Sequence, residues 1–252
     1  MKKAVIIILS VICVCAVVVI PILASKGVFS DGNAEKYSVA STAASENSGL
    51  NGKKIIFLGS SVTYGSASEG ESFVDFLVKR DGVTAIKEAV SGTTLVDNGS
   101  NSYIARMKTI DKDFAADAFV CQLSTNDATK KLPLGEISES FDIDSFDTST
   151  VAGAIEYVIA YAKSTWNCPV IFYTGTKYDS ERYGEMVELI LEISRKWETY
   201  VIDLWNNEEM NDVAPQLYKL YMANGIHPTR AGYREWWLPV IEKELTNILS
   251  GD

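Results

Sequence analysis

Short apolar runs alternate with longer amphipathic stretches along the body of the chain, residues 53–252. The runs predict five strands, at 54–58, 85–90, 118–123, 170–173 and 200–204, of which 54–58 has the pattern of a buried strand and 85–90 a weaker one. Apolar residues at helical spacing predict helices at 72–80, 103–110, 150–165, 181–197 and 229–249. Because a helix separates each pair of consecutive strands, we expect an α/β fold with a parallel sheet covered by helices on both faces.

The first residues follow a different pattern. Lys2 and Lys3 precede an uncharged apolar run at 4–24, which as a helix would be about 31 Å long and would cross a bilayer. The lysines would stay in the cytoplasm and place everything after residue 26 outside. A cleaved signal peptide is the alternative, although its apolar core is usually shorter, ~7–15 residues. Either way, residues 1–25 predict an extracytoplasmic domain, anchored in the membrane or secreted.

Residues 26–52 are rich in Ser, Ala, Gly and Asn and contain few large apolar side chains. Such a composition buries too little apolar surface to offset the entropy of ordering the chain. The stretch is therefore expected to be a flexible linker that holds the domain, residues 53–252, away from the membrane surface.

Composition narrows the classes of function. The chain has 252 residues and a net charge of −10, from 23 basic and 33 acidic residues, which disfavours a nucleic-acid partner. A single histidine excludes a metal site built from several histidines. Four cysteines are too few for a dense disulfide framework. Cys121 and Cys168 are expected to be buried free thiols, with a disulfide bridge between them as the alternative.

Four polar segments coincide with the ends of predicted strands or precede the last predicted helix. They are Gly59-Ser60-Ser61-Val62, Ser91-Gly92-Thr93-Thr94, Ser124-Thr125-Asn126-Asp127 and Asn224-Gly225-Ile226-His227-Pro228. Each alone is typical of a turn or a helix cap. Together they supply a hydroxyl, flexible backbone amides, a side-chain amide and the only imidazole. Acyl transfer needs this set, because the attacking serine must lose a proton and the oxyanion needs N–H donors.

The four segments resemble, in order, the sequence blocks of the SGNH (GDSL-type) esterase and lipase superfamily, over residues 54–249. The resemblance implies that Ser61 is the nucleophile and His227 the base. It implies an oxyanion hole formed by Ser61, the backbone N–H of Gly92 and the side-chain amide of Asn126. It also implies a flavodoxin-like fold, a three-layer α/β/α sandwich around a five-stranded parallel sheet. The activity that it implies is the cleavage of esters without a metal or an organic cofactor.

The chain departs from the family pattern at Ser60, Ser124 and Asn224. The third departure concerns the chemistry, because the family has there an aspartate that orients the histidine and stabilises the imidazolium. The asparagine Oδ1 accepts the Nδ1 proton but brings no charge, and a flipped amide would donate instead. Asp203, after the fifth strand, is the alternative orienting group. We expect a Ser61–His227 dyad assisted by Asn224, active but slow.

Two hypotheses about function follow. The first is an exported ester hydrolase acting on short acyl esters, including O-acetyl groups of glycans. The second is a non-catalytic or weakly active module that binds glycans or lipids, and Asn224 is its only support in the sequence.

Several further residues carry weaker expectations. Tyr64 and Trp205 are expected to line the pocket. The acidic segment 136–147 is expected to be a solvated loop that overhangs the site, with calcium at Asp142 as the alternative. Trp236 and Trp237 are expected to belong to the core face of the last helix, with a sugar-stacking surface as the alternative. Pro239 is expected to bend that helix.

Overall fold

A computed structural model of the chain describes residues 30–251. The apolar run at 4–24, predicted to be an anchor or a signal peptide, lies outside these residues. Between residues 30 and 251, no helix is both long and apolar enough to cross a membrane. Membrane attachment and export therefore stay predictions.

Five parallel strands form the central sheet, in the order β2-β1-β3-β4-β5. Their bounds are Lys54–Gly59 (β1), Thr84–Ala89 (β2), Ala118–Gln122 (β3), Val170–Tyr173 (β4) and Tyr200–Ile202 (β5). The predicted parallel sheet is confirmed, and each predicted strand boundary lies within two residues of the observed one. Because β1 lies between β2 and β3, the loops that follow these three strands are neighbours at the carboxyl ends of the strands.

Nine α-helices are present between residues 30 and 251. They are Ser61–Tyr64 (α1), Phe73–Asp81 (α2), Tyr103–Met107 (α3), Thr125–Thr129 (α4), Val151–Trp166 (α5), Glu181–Trp197 (α6), Glu208–Asn211 (α7), Pro215–Tyr221 (α8) and Leu238–Ser250 (α9). The four long helices among those predicted between the strands and at the end of the chain are present. The short helices α1, α4, α7 and α8 were not predicted, because stretches of four to seven residues are too short to show a helical period.

The last predicted helix, 229–249, is present as one continuous helix over residues 230–250. Within it, Gly232–Trp237 form an unpredicted π-helical turn, and α9 is the α-helical part that begins at Leu238. The Leu238 N–H bonds to the Tyr233 carbonyl, five residues back. Pro239 follows the π-helical turn directly and lies inside this continuous helix, so its missing N–H leaves one carbonyl of the preceding turn without a helical partner. The bend expected at Pro239 stays a prediction.

Alternating side chains of the strands enter two cores, one on each face of the sheet. Ile56 and Leu58 face α3, α5 and α6, whereas Ile55 and Phe57 face α2, the π-helical turn and α9. The three-layer α/β/α sandwich is thus confirmed. Trp237 is completely buried in the second core, which confirms the prediction of a core face.

Cys121 and Cys168 are free thiols, as predicted, and both are buried. Burial raises the pKa of Cys168 to about 11 and raises that of Cys121 well above its ordinary value. Because the thiolate is the reactive form, both side chains act as apolar packing groups rather than nucleophiles.

Residues 30–52 do not form the flexible linker that their composition predicts. Asn33 is buried, donates to the Ala67 carbonyl at 2.7 Å and accepts the Arg230 N–H at 2.9 Å. Leu50 is completely buried in the second core. The prediction failed because it counted only apolar burial, whereas this segment is held largely by specific polar contacts. Residues 30–52 belong to the folded domain.

The central part of the acidic segment 136–147 does not overhang the predicted site. Lys196 donates to the carbonyls of Ser138 and Ser140, and the Phe141 ring packs edge-on against Trp197. Lys196 and Trp197 are in the last turn of α6, just before β5 begins. They therefore lie at the amino ends of the strands, whereas the predicted site lies at the carboxyl ends. Among residues 30–251, no group of three or more His, Cys, Asp or Glu side chains could hold a metal ion.

Candidate active site

Ser61 is the first residue of α1 and follows a tight turn at the end of β1. Gly59 permits this turn, because a Cβ there would lie 1.7 Å from Thr63 Oγ1. Gln122, the last residue of β3, supports the turn from behind. Its Oε1 accepts hydrogen bonds from the Ser60 N–H at 2.9 Å and from Thr63 Oγ1 at 2.8 Å. The Ser61 hydroxyl is thereby presented at the carboxyl edge of the sheet on a rigid support.

His227 lies in a hairpin, residues 222–228, between α8 and the π-helical turn. An isolated bridge between Met222 and Pro228 closes the hairpin. His227 Nε2 lies 2.8 Å from Ser61 Oγ, although the two residues are 166 positions apart in the sequence. The fold thus brings the only imidazole of the chain into hydrogen-bonding distance of the hydroxyl after the first strand.

Asn224 lies on the other side of the imidazole. Its Oδ1 is 2.9 Å from His227 Nδ1 and accepts the backbone N–H groups of Ile226 and His227, each at 3.0 Å. Because two backbone donors point at this atom, it must be the amide oxygen and not the nitrogen. In the neutral ring, Nδ1 then carries the proton, and Nε2 is left to accept the proton of Ser61. The flipped amide weighed from the sequence is excluded by these contacts.

Asp203, the alternative orienting group, is engaged elsewhere. Its carboxylate accepts hydrogen bonds from Thr174 Oγ1 at 3.2 Å and from the side-chain amide of Asn206 at 2.8 Å. These bonds hold the turn that follows β5. Asn224, not Asp203, is therefore the residue that faces His227 Nδ1 in this structure.

Burial lowers the pKa of His227 below its ordinary value of 6.5, because the imidazolium loses solvation. The neighbouring amide of Asn224 brings no negative charge that would offset this loss. The neutral ring, which is the form that accepts a proton from serine, is therefore the dominant form at neutral pH.

If His227 acts as a base, kcat/KM should rise with pH through a single pKa below 6.5 and reach a plateau near neutral pH. The sign follows from the lowered pKa of the imidazole, because activity is lost only as the ring becomes protonated. The chain has one histidine, so His227 is the only imidazole whose protonation can produce the loss of activity at low pH. Initial rates measured from pH 4.5 to 8.5 test this, and an acid limb centred above pH 7 would contradict it.

The residues predicted to form an oxyanion hole lie in neighbouring loops. Gly92 has a φ of +82° and an open position, with no atom within 4 Å of where a Cβ would be. The Asn126 side-chain amide donates to the Thr93 carbonyl at 2.8 Å and to Ser60 Oγ at 3.2 Å. Asn126 is thus next to the residue that precedes Ser61, and it connects the loops that follow β1 and β2.

Two residues that sequence reasoning missed hold these loops in place. Arg106 is buried and donates to the Gly59 carbonyl at 2.7 Å and to Thr93 Oγ1 at 3.0 Å. The Asp127 carboxylate accepts the N–H groups of Leu95 and Val96, at 2.8 and 2.9 Å. Burial raises the pKa of Asp127, against the opposing effect of these bonds. In the sequence, Arg106 could have been recognised as a charged residue on an apolar helix face. Asp127 could have been recognised as the last residue of the third polar segment.

Two cavities meet at the hairpin. The smaller has a volume of about 560 Å³ and is lined by Tyr64, Ser66, Glu69, Gly70, Ser91, Asn224 and His227. The larger, about 950 Å³, lies between α4, the start of α6 and residues 224–226. Tyr64 lines the smaller cavity, as expected. Trp205 lines neither cavity, because it is buried in the core against the rings of Tyr178 and Tyr183.

The sequence of the chain is similar to that of a known protein family. The sequence profile of the GDSL-like Lipase/Acylhydrolase family matches residues 57–235. No curated protein matches the chain.

Solved structures share the fold. A Lactobacillus plantarum protein is 20% identical with a TM-score of 0.64, covering 80% of this chain and 98% of its own. A Bacteroides ovatus protein, provisionally described as a GDSL-like lipase, is 18% identical with a TM-score of 0.57, covering 77% and 97%. An acetylxylan esterase from Geobacillus stearothermophilus is 14% identical with a TM-score of 0.53, covering 77% and 94%. At these identities the likeness establishes the fold alone.

Proposed function

Because the chain belongs to the GDSL-like lipase/acylhydrolase family of the SGNH hydrolase superfamily, we propose that it hydrolyses carboxylic esters through Ser61 and His227. Family membership supports an ester hydrolase in general terms. The observation that carries the specific mechanism is the 2.8 Å contact between Ser61 Oγ and His227 Nε2, on a ring whose Nδ1 faces Asn224 Oδ1.

In the proposed reaction, Ser61 Oγ attacks the ester carbonyl carbon while its proton passes to His227 Nε2. The tetrahedral intermediate collapses when the imidazolium gives that proton to the departing alcohol, which leaves an acyl-serine. Water then attacks the acyl-serine, with His227 again taking and returning a proton. The products are the free acid, the alcohol and the regenerated serine.

We propose that the oxyanion is bound by the N–H groups of Ser61 and Gly92 and by the Asn126 amide. Ser61 is at the first position of α1, where the helix itself does not use the N–H. In this structure the Asn126 amide donates one N–H to Ser60 Oγ at 3.2 Å, which is longer than its 2.8 Å bond to the Thr93 carbonyl. Exchanging this weak bond for a charged oxyanion is favourable, because hydrogen bonds to ionised acceptors are about twice as strong.

Covalent labelling tests the nucleophile directly. A fluorophosphonate probe should label wild-type protein at Ser61, and Ser61→Ala should be neither labelled nor active toward p-nitrophenyl acetate. The competing hypothesis is a non-catalytic or weakly active binding module. An unlabelled wild type, alongside a related active hydrolase that takes up the same probe, would favour the binding module.

Replacing Asn224 by Asp should raise kcat, by about tenfold, or ~1.4 kcal/mol of barrier. The aspartate keeps the oxygen that accepts the Nδ1 proton and both backbone N–H groups, and it adds the charge that stabilises the imidazolium. The acid limb of the pH profile should move to higher pH for the same reason. Steady-state rates on p-nitrophenyl acetate check both effects.

Asn224→Ala is the matched control, because it removes the acceptor altogether. Its kcat should fall below that of the wild type, since Nδ1 then has no acceptor that fixes the tautomer and the orientation of the ring. A lower kcat for Asn224→Asp than for the wild type would contradict the orienting role of Asn224.

The larger cavity supports a proposal about the alcohol part of the substrate. Its wall carries charges of both signs, from Lys131, Asp179, Glu181, Arg182 and Glu185. A hydrocarbon chain would desolvate these groups without pairing them, whereas the hydroxyls of a sugar can bond to them. We therefore propose that short acyl esters, including O-acetyl groups on glycans, are cleaved with the glycan in this cavity.

A panel of esters separates this substrate class from lipids. Acetylated oligosaccharides should have a higher kcat/KM than p-nitrophenyl octanoate. Asp179→Ala should raise KM for the oligosaccharides while leaving that for p-nitrophenyl acetate unchanged. A steady increase of kcat/KM with acyl chain length would identify a lipase instead.

The predicted anchor or signal peptide leads us to propose an extracytoplasmic location. The support is the uncharged run at 4–24 behind two lysines. Digestion of intact cells by an added protease should remove the domain if it is anchored outside, and the culture medium should contain it if the leader is cleaved.

A further inference from the structure

The base of the hairpin that carries His227 rests on the amino-terminal segment of the domain. Thr229, directly after the hairpin, donates its hydroxyl to the Leu220 carbonyl at 2.7 Å. Gly32 lies so close to these two groups that a Cβ would be 1.9 Å from the Leu220 oxygen and 2.4 Å from Thr229 Oγ1. Only glycine permits this approach, so the segment and the hairpin base form one packed unit.

Asn33, the next residue, bonds to Arg230 from two directions. Its side-chain Oδ1 accepts the Arg230 backbone N–H at 2.9 Å, and its carbonyl accepts Arg230 Nη1 at 3.0 Å. Its side-chain amide donates to the Ala67 carbonyl at 2.7 Å. All three residues are buried. Asn33 therefore ties a position three residues after His227 to the loop that follows α1, the helix that begins with Ser61.

The rest of the Arg230 guanidinium continues this link to the same loop. Arg230 Nη2 lies 3.0 Å from Glu69 Oε2, and Arg230 Nε lies 2.7 Å from Glu71 Oε2. Glu71 also accepts the Val39 N–H at 3.0 Å, a second connection to the amino-terminal segment. Glu69 lines the smaller cavity together with His227. The network thus joins the nucleophile side and the histidine side of the site.

We propose that Asn33 and Arg230 are positioning residues that clamp the hairpin so that His227 Nε2 stays within hydrogen-bonding distance of Ser61 Oγ. This inference rests on the proposed function. It assigns a role in turnover to a segment that lies ahead of the first strand and touches neither reacting atom. A displacement of about 1 Å in a reacting group can cost about 10²-fold in rate, so a clamp of this kind has a measurable effect.

The test uses the full chain and the variant Asn33→Ala, with Asn47→Ala, an exposed asparagine of the same segment, as the matched control. At a temperature well below the thermal midpoint of both variants, Asn33→Ala should lower kcat by roughly 10- to 100-fold with little change in KM. Arg230→Lys should also lower kcat, because a lysine cannot bond in several directions at once. Asn47→Ala should behave as the wild type.

The single histidine gives a second readout that does not depend on turnover. The imidazole resonances of His227 report one pKa, which in Asn33→Ala should move up toward the ordinary value of about 6.5 as the hairpin loosens and solvent reaches the ring. Release of Glu69 from Arg230 would move this pKa in the same direction. A lower thermal midpoint with wild-type kcat and wild-type imidazole pKa would show a merely structural contact and overturn the proposal. If the wild type cleaves no ester, the proposed function fails, and the imidazole pKa alone decides the clamp.

Discussion

His227→Ala is expected to lower kcat for p-nitrophenyl acetate by on the order of 10⁴-fold or more. The Ser61 hydroxyl would lose the imidazole that lies 2.8 Å from it, and the chain has no second histidine to take its place. Serine is a weak nucleophile until a base removes its proton, so the barrier for attack should rise by at least ~5 kcal/mol. Burst-phase and steady-state rates of the purified variant measure the loss.

The double variant Ser61→Ala/His227→Ala sharpens this result. Residues that act as one unit are not additive, so the double variant should be no slower than either single variant. Thermal midpoints within a few degrees of the wild type would show that all three variants remain folded. If His227→Ala keeps more than a tenth of the wild-type kcat, another group supplies the base and the proposed mechanism is wrong.

Phe73→Ala should lower the free energy of unfolding by about 3–5 kcal/mol, the largest stability effect that we expect. Phe73 is completely buried at the start of α2 and contacts four rings. The ring centroids lie at 5.8 Å for Phe57, 5.1 Å for Tyr173, 6.3 Å for Tyr233 and 6.4 Å for Trp237. The variant loses both the burial of an aromatic ring and these four ring contacts, two of them edge-on, and it leaves a cavity. Urea unfolding should show a lower midpoint with an unchanged slope.

Val78→Ala on the same helix is the matched control. Val78 is 44% exposed, so its truncation should cost no more than about 0.5 kcal/mol. Equal losses for the two variants would mean that the aromatic cluster is not the centre of the second core. Phe73→Ala should also weaken the site, because Tyr233 in this cluster donates to the Val62 carbonyl of α1 at 2.6 Å.

The central strands β1, β3 and β4 were predictable because a parallel sheet buried on both faces leaves a continuous apolar run for each of them. The outer strands β2 and β5 are less buried and leave a weaker pattern. The pairing of Ser61 with His227 was predictable only through the order of four polar segments at strand ends. By contrast, the orientation of Asn224 depends on two backbone N–H groups that no sequence pattern reveals. Gln122 was missed because a single polar residue at the end of an apolar run does not interrupt the pattern.

The amino-terminal segment shows a different limit of sequence reasoning. Composition predicts order from the apolar area that a stretch can bury, and residues 30–52 offer little of it. Their order comes instead from contacts such as those of Asn33 with Arg230, 197 positions away, and no local pattern contains that partner. The start of the π-helical turn likewise has a partner that lies outside the local pattern, because a Cβ at Gly232 would be 2.1 Å from the Tyr221 carbonyl.

The sequence separations at the site determine when during synthesis the protein becomes competent. The hydroxyl and the imidazole are 166 positions apart, and the imidazole comes after all five strands. A ribosome-bound chain that has completed the sheet still lacks His227, the proposed base, and Arg230, the proposed clamp of the hairpin, emerges later still. Chains interrupted before residue 227 would lack the imidazole and also the π-helical turn and α9, which cover one face of the sheet. Hydrolysis of a reporter ester should therefore be one of the last events of folding.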